Sequence, residues 1–199
     1  MEFLYLVRGG LRAFDDPGIV NTLKIVDSVL RRDTPSGPSY YRYNGDGYGE
    51  HADGSAFDGN GIGRLWPLLT GERGHYAVAA GGDARPYLEA MSRMTGPGGL
   101  IPEQIWDSAP IADFGLEPGK PSGSAMPLVW AHAEFLKLLA ARANGRAAEL
   151  LDAVTQRYGG KVPSAPTWHW RNNSPFSTIP RGKAILIERP APFTLLISL

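Results

Sequence analysis

Two stretches of the chain, residues 33–60 and 95–123, carry no sustained hydrophobic period, and they limit the possible folds more than any other feature. Loops of that length are uncommon in a compact domain and usually have a function. Both are rich in Gly, and the aromatic content of the first favours function. Amphipathic segments flank them. Phe3, Leu4, Leu6, Val7 and Leu11 follow a helical period with no capping residue ahead of them, as expected of a domain entered partway through. Asp16-Pro17 opens a second helix with Pro in its first turn. Its stripe is Ile19, Leu23, Val26 and Leu30, widened by Val20 and Val29, and it stops near Arg31-Arg32, two cations suited to a helix C-terminus. Further helices are predicted from Gly61 to Ala80, Ala84 to Met94, Ala125 to Arg142, and Arg146 to Tyr158, the last closing on Gly159-Gly160. The fifth is apolar almost all round, a pattern expected of a helix buried on most sides.

The tail changes character. Lys183–Glu188 and Phe193–Ser198 are β-rich runs separated by Arg189-Pro-Ala-Pro192, and they read as two short strands. A two-stranded ribbon is marginal alone and must dock on something. The chain is therefore expected to be mainly α: helical hairpins with the long loops between them, then a β ribbon. It is taken as one partial domain over 1–199, helical over 1–160 and irregular plus β over 161–199.

Charge and composition narrow the function. Twenty Lys plus Arg balance twenty Asp plus Glu, so the formal charge is zero. Nucleic acid and anionic membrane surfaces, which call for a basic face, are not expected partners. No apolar run approaches a membrane span. Glu2 and Arg8 interrupt the first apolar stretch, so no signal peptide is read and a cytoplasmic location is slightly favoured. The chain has no cysteine, which excludes disulfides and thiolate metal sites. Five Trp and eight Tyr suit a site that stacks on sugar rings, although core filling is the commoner use of any one aromatic.

Three segments carry candidate chemistry. In Leu100-Ile-Pro-Glu103-Gln104-Ile-Trp106-Asp107 an acidic residue sits beside an amide and an indole in a glycine-flanked loop. Glycosidic cleavage needs carboxylates about the bond, but most loop Glu residues are merely solvated. In Tyr40-Tyr-Arg42-Tyr43-Asn-Gly-Asp46-Gly-Tyr48-Gly-Glu50-His51, Arg42 among tyrosines either forks two hydroxyls or stacks structurally. Asp46, Glu50 and Asp53 match a calcium loop poorly, and no metal site is expected. In Pro121–Glu134, Trp130 either floors a sugar subsite or fills the core, and His132 is taken as structural.

Together these segments resemble the bacterial glucoamylases and glucodextranases, glycoside hydrolase family fifteen. The resemblance lies in Arg42-Tyr-Asn-Gly-Asp-Gly-Tyr-Gly-Glu50, Arg64-Leu-Trp66 through Gly-Glu-Arg-Gly-His-Tyr76, Ile101-Pro-Glu-Gln-Ile-Trp106, Gly123-Ser-Ala-Met-Pro-Leu-Val-Trp-Ala-His-Ala-Glu134, and the closing Pro190-Ala-Pro-Phe-Thr-Leu195. It implies about half of an (α/α)6 barrel, the C-terminal half of a catalytic domain, and exo-acting hydrolysis of α-glucosidic bonds with inversion. It implies that Glu103 is the general base, Arg42 with Tyr43 binds glucose hydroxyls, Trp66, Trp106 and Trp130 wall the sugar subsites, and Gln104 orients Glu103 or a hydroxyl. No cofactor is implied.

The family's general acid lies upstream of anything matched here, so the isolated chain is expected to be inactive. The expected partner is an α-glucan or oligosaccharide, together with the missing N-terminal half-barrel or a self-associating copy. The alternative is a non-catalytic, carbohydrate-binding half that complements another chain. A terpenoid-cyclase-like helical barrel would want acidic metal motifs on helices, and none is found. Whether the linkage is α-1,4, α-1,6 or that of trehalose stays open.

Overall fold

The computed structural model describes residues 1–159 and 166–196. The chain divides into two compact units, Met1–Lys161 and Val162–Leu199.

The first unit holds the helices. A 3-10 turn, Glu2–Leu4, runs into α1 (Tyr5–Arg8), followed by α2 (Pro17–Val29), strands β1 (Arg31–Thr34) and β2 (Gly37–Tyr40), then α3 (Pro67–Ala79), α4 (Arg85–Arg93), a 3-10 turn Ala112–Phe114, α5 (Val129–Asn144) and α6 (Asp152–Tyr158). The ends follow local chemistry. The Asp16 carboxylate caps α2 by accepting the Gly18 N–H at 2.8 Å. Proline occupies the first turn of α2, α3 and α4, where its missing N–H costs nothing. Gly145, at φ +68°, takes the left-handed conformation that ends α5.

Helix α3 is the centre of this unit and packs against α1, α4, α5 and β2. Its glycines set the spacing. A Cβ on Gly71 would lie 2.7 Å from Glu134 Cγ, and one on Gly74 would lie 2.6 Å from Leu138 Cδ2. Only glycine lets α5 approach this closely. Leu138 and Ala141 then join Val78, Ala84 and Leu88 in one apolar cluster.

Several expectations need correction. The first loop is not structureless at its start: Arg31–Thr34 and Gly37–Tyr40 pair as an antiparallel hairpin with Arg31 opposite Tyr40. Four-residue strands reading RRDT and GPSY have no alternating apolar pattern, so periodicity missed them. The third helix starts at Pro67, because Trp66 is extended and donates its N–H to the Tyr40 carbonyl at 2.9 Å. The sixth helix is shorter than expected, starting at Asp152; of its expected Gly159-Gly160 stop, Gly160 lies outside the described residues. Helix α5 is buried along Ala131, Glu134, Leu138 and Ala141, while Val129, Trp130, Leu136 and Leu139 are exposed. An apolar sequence all round did not mean burial all round.

In the second unit β3 (Thr167–Arg171) pairs in parallel with β4 (Ala184–Glu188), and Arg171 Nε meets Glu188 Oε2 at 2.6 Å. The expected partner of β4 was the run at 193–198. Residues 193–196 form no strand, and 197–199 lie outside the described residues. The sequence Thr-Trp-His-Trp-Arg offered a strand signal that the Pro- and Ser-rich surroundings obscured. No helix among the described residues is long and apolar enough to cross a membrane.

Candidate active site

Glu103 is placed by main-chain stitching on both sides of its segment. Ile105 donates its N–H to Leu65 O at 2.9 Å, Trp106 to Lys120 O at 2.8 Å and Glu103 to Ala125 O at 2.8 Å. Ser122 donates to Gln104 O, and Gln104 N–H donates to Ser124 Oγ at 2.9 Å. His132, one turn into α5, accepts the Ile101 N–H on Nε2 at 2.9 Å, which makes it structural. The loop Thr95–Gly123 is thus rigidly anchored where it carries the carboxylate.

Glu103 lines a cavity of about 480 Å³ together with Tyr48, Glu50, Phe57, Phe114 and Ser122. Its Oε2 accepts the Tyr48 hydroxyl at 3.1 Å, and among the described residues its Oε1 has no hydrogen-bond donor. Burial, then the neighbouring Glu103, push the Tyr48 hydroxyl above its usual range, so it stays protonated and donates.

Arg42 lies beside this pair. Its Nε and Nη2 fork onto the two Asp46 oxygens, each at 2.7 Å, and Asp46 also accepts the Tyr48 N–H at 3.0 Å. Burial alone would raise the Asp46 carboxyl, but the Arg42 fork and that N–H outweigh it and hold it below the usual carboxylate range. The guanidinium sits 4.8 Å from the Trp66 ring centre, 5.0 Å from Tyr48 and 5.3 Å from Tyr43. A charged group so placed is held flat by rings and by one bidentate partner. Arg42, Tyr43, Trp66 and Trp130 line a second cavity of about 730 Å³, with Tyr5 and Glu72. Tyr48 touches both groups, tilted against Trp66 at 6.3 Å while its hydroxyl reaches Glu103.

One expected sugar contact is not placed as such. Trp106 is wholly buried; its Nε1 donates to Ala109 O at 2.7 Å, and the Arg64 guanidinium stacks on its ring at 4.0 Å. No face is left for a ligand, so this indole supports the segment that bears Glu103. The Gln104 side-chain carbonyl accepts the Arg64 N–H at 2.8 Å in a buried position, which fixes loop to loop, while the residue also lines the Glu103 cavity. Asp46 pairs with Arg42, and Asp53 accepts from Ser55; among the described residues no group of three His, Asp or Glu side chains could hold a metal ion. Residue-by-residue reading missed Tyr48 as the partner of Glu103 and Asp46 as the partner of Arg42. Both lie inside the Arg42–Glu50 stretch, so the signal was present in the spacing.

A glucoamylase from Clostridium sp. (strain G0005) is 51% identical to this chain over 160 residues. Over that length the chain is bacterial glucoamylase-like. The match takes in 80% of this chain and 22% of the Clostridium glucoamylase, so the chain spans about a fifth of that relative. A crystal structure of a bacterial glucoamylase complexed with acarbose is also 51% identical, with a TM-score of 0.72, covering 78% of this chain and 22% of that one. The glucoamylase-like fold therefore extends over the helices and the hairpin described above. A glycosidase structure at 22% identity reaches a TM-score of 0.45, covering 67% of this chain and 32% of that one. No protein-family model matches the chain.

Proposed function

We propose that the chain serves glucoamylase-like, exo-acting hydrolysis of α-glucosidic bonds with inversion, as the part of a catalytic domain that supplies the general base and some of the sugar subsites. Glu103 is the base, and Arg42, Tyr43, Trp66 and Trp130 form the subsite wall. The helices correspond to about half of an (α/α)6 barrel. The observation that carries this reading is Glu103 itself: a cavity-lining carboxylate with one oxygen on Tyr48 and the other without a donor among the described residues. A general base needs one oxygen within reach of the water it activates. The related crystal structure holds acarbose, and an oligosaccharide is the ligand proposed for this chain.

An inverting site sets its two carboxyls about 6.5–9.5 Å apart, and the reading assigns the acid to no residue of this chain. Lacking an acid typically costs on the order of 10²–10⁴ in rate. The isolated chain is therefore expected to release no measurable glucose from maltose, isomaltose or dextrin. Hydrolysis by the purified chain that disappears in Glu103→Gln would overturn that expectation and place an acid within the chain or across a dimer.

A second reading is supported by the exposed apolar face of α5, where Val129 is 76% and Leu136 64% exposed. Faces of this kind mark interaction surfaces, so the chain would act as a carbohydrate-binding half that completes itself with another polypeptide. Size-exclusion chromatography with light scattering tests it. Self-association or strong hydrophobic-dye binding is expected; a monodisperse monomer with weak dye binding would count against it.

A further inference from the structure

Glu50 is an anomaly in the Glu103 cavity. It is only 5% exposed, and its Oε2 is fully buried with no hydrogen-bond partner. No ion pair reaches its carboxylate among the described residues. Both Nη atoms of Arg64 are engaged elsewhere: Nη2 donates to the backbone carbonyls of Glu50 and His51 at 2.6 and 2.8 Å, and Nη1 to Asp107 Oδ1 at 2.7 Å, while its buried Nε has no partner among the described residues. The cavity wall around Glu50 contains no Lys or Arg; its polar members besides Tyr48 are Glu103, Gln104, Ser122 and Ser124. A buried carboxylate without a partner is strongly disfavoured unless something supplies donors. Gly123 shapes the same spot, since a Cβ there would lie 3.1 Å from Glu50 Oε1. The space in front of that oxygen is open because residue 123 has no side chain.

We propose that Glu50 is a substrate-positioning residue whose carboxylate accepts hydroxyl hydrogen bonds from a sugar unit bound beside Glu103. The chemistry fits at Oε1, which borders the open space beside Gly123 and can accept a sugar hydroxyl, while Phe57 and Phe114 give the same cavity flat apolar faces. The proposal rests on the reading of this cavity as a sugar site. It adds a second carboxylate to that cavity, in a binding role distinct from the base.

The test is calorimetric titration of the full chain with maltotriose, run in parallel with thermal melts, for the parent, Glu50→Gln and Glu50→Ala. The parent is expected to bind. Glu50→Ala is expected to weaken binding about tenfold or more, as losing hydrogen bonds to a charged acceptor does. Glu50→Gln is expected to weaken binding while melting at the same or a higher temperature, because an unpaired buried charge is gone. A purely structural Glu50 would not separate those two readouts. Unchanged maltotriose affinity in both variants would overturn the role of Glu50 alone. A lower melting temperature in Glu50→Gln would also overturn it, by showing a protein partner for the charge. Calcium chloride stabilising the parent but not Glu50→Gln, at equal maltotriose affinity, would assign the carboxylate to a cation instead. No maltotriose binding by the parent would overturn the sugar-site reading and this proposal together.

Discussion

Arg8→Met is expected to destabilise the first unit by about 3–5 kcal/mol, read as a fall in the urea midpoint at neutral pH. Arg8 Nη1 meets Glu134 Oε1 at 2.6 Å, with both side chains almost fully buried. Its other donors hold Glu149 at 3.2 and 2.8 Å. Without Arg8, Glu149 keeps Lys137 and is partly exposed, so it loses little. Glu134 keeps only His75, 3.3 Å away. Burial first, then the Arg8 charge, push the His75 pKa down to about 3, so it meets Glu134 as a neutral ring. An uncompensated carboxylate would then stand between α3 and α5. The deficit should shrink as pH falls, because burial holds the Glu134 carboxyl above its usual range and favours its protonated form, and Glu134→Gln added to Arg8→Met should restore most of the loss. A single variant that melts like the parent at pH 7 would show that the pair contributes nothing net.

Glu72→Gln is expected to stabilise the chain at pH 8 by about 3 kcal/mol and to leave it unchanged near pH 4. Glu72 is buried on α3, with Oε1 accepting the Tyr5 hydroxyl at 3.3 Å and Oε2 without a partner. Burial, opposed by the Met1 ammonium and helped by Glu134, raises its pKa from 4.5 to about 7. The sign follows from proton counting. Between pH 4.5 and 7 the folded chain holds a proton that the unfolded chain has lost, so stability falls as pH rises through that window. The span corresponds to about 3 kcal/mol. His75 acts in the opposite sense: its depressed pKa removes stability as pH falls from 6.5 toward 3. Denaturation of parent and variant at matched pH isolates Glu72, and a difference that stays flat from pH 4 to 8 would show that its ionisation is not the cause.

The legible and the illegible parts of this chain divide by the kind of interaction that makes them. Helices α2, α3 and α4 could be read because each carries Pro in its first turn, and α5 because of its sustained apolar run. The hairpin Arg31–Tyr40 and the pairing of β3 with β4 could not, because strand pairing is settled by partners distant in sequence. Glu103 was visible only through the resemblance; on its own residues it was one loop carboxylate among many. The local pattern also misled at Trp106, since an indole in a glycine-rich loop gives no sign that Arg64 will cover it. Glu134 could not be recognised as interior, because its only reason to be there is Arg8, 126 residues away.

The group that meets Glu103 is a phenol hydroxyl, that of Tyr48. A backbone N–H or a lysine in the place of that hydroxyl could only donate, and would be left facing a proton each time the carboxylate acquired one. A phenol both gives and accepts. In the proposed role, in which Glu103 would take a proton from water, Tyr48 would reverse its hydrogen bond by turning a single O–H, with no heavy atom displaced. Under that proposal the contact would tolerate the proton on either side of the bond, and the site would reset without moving its scaffold.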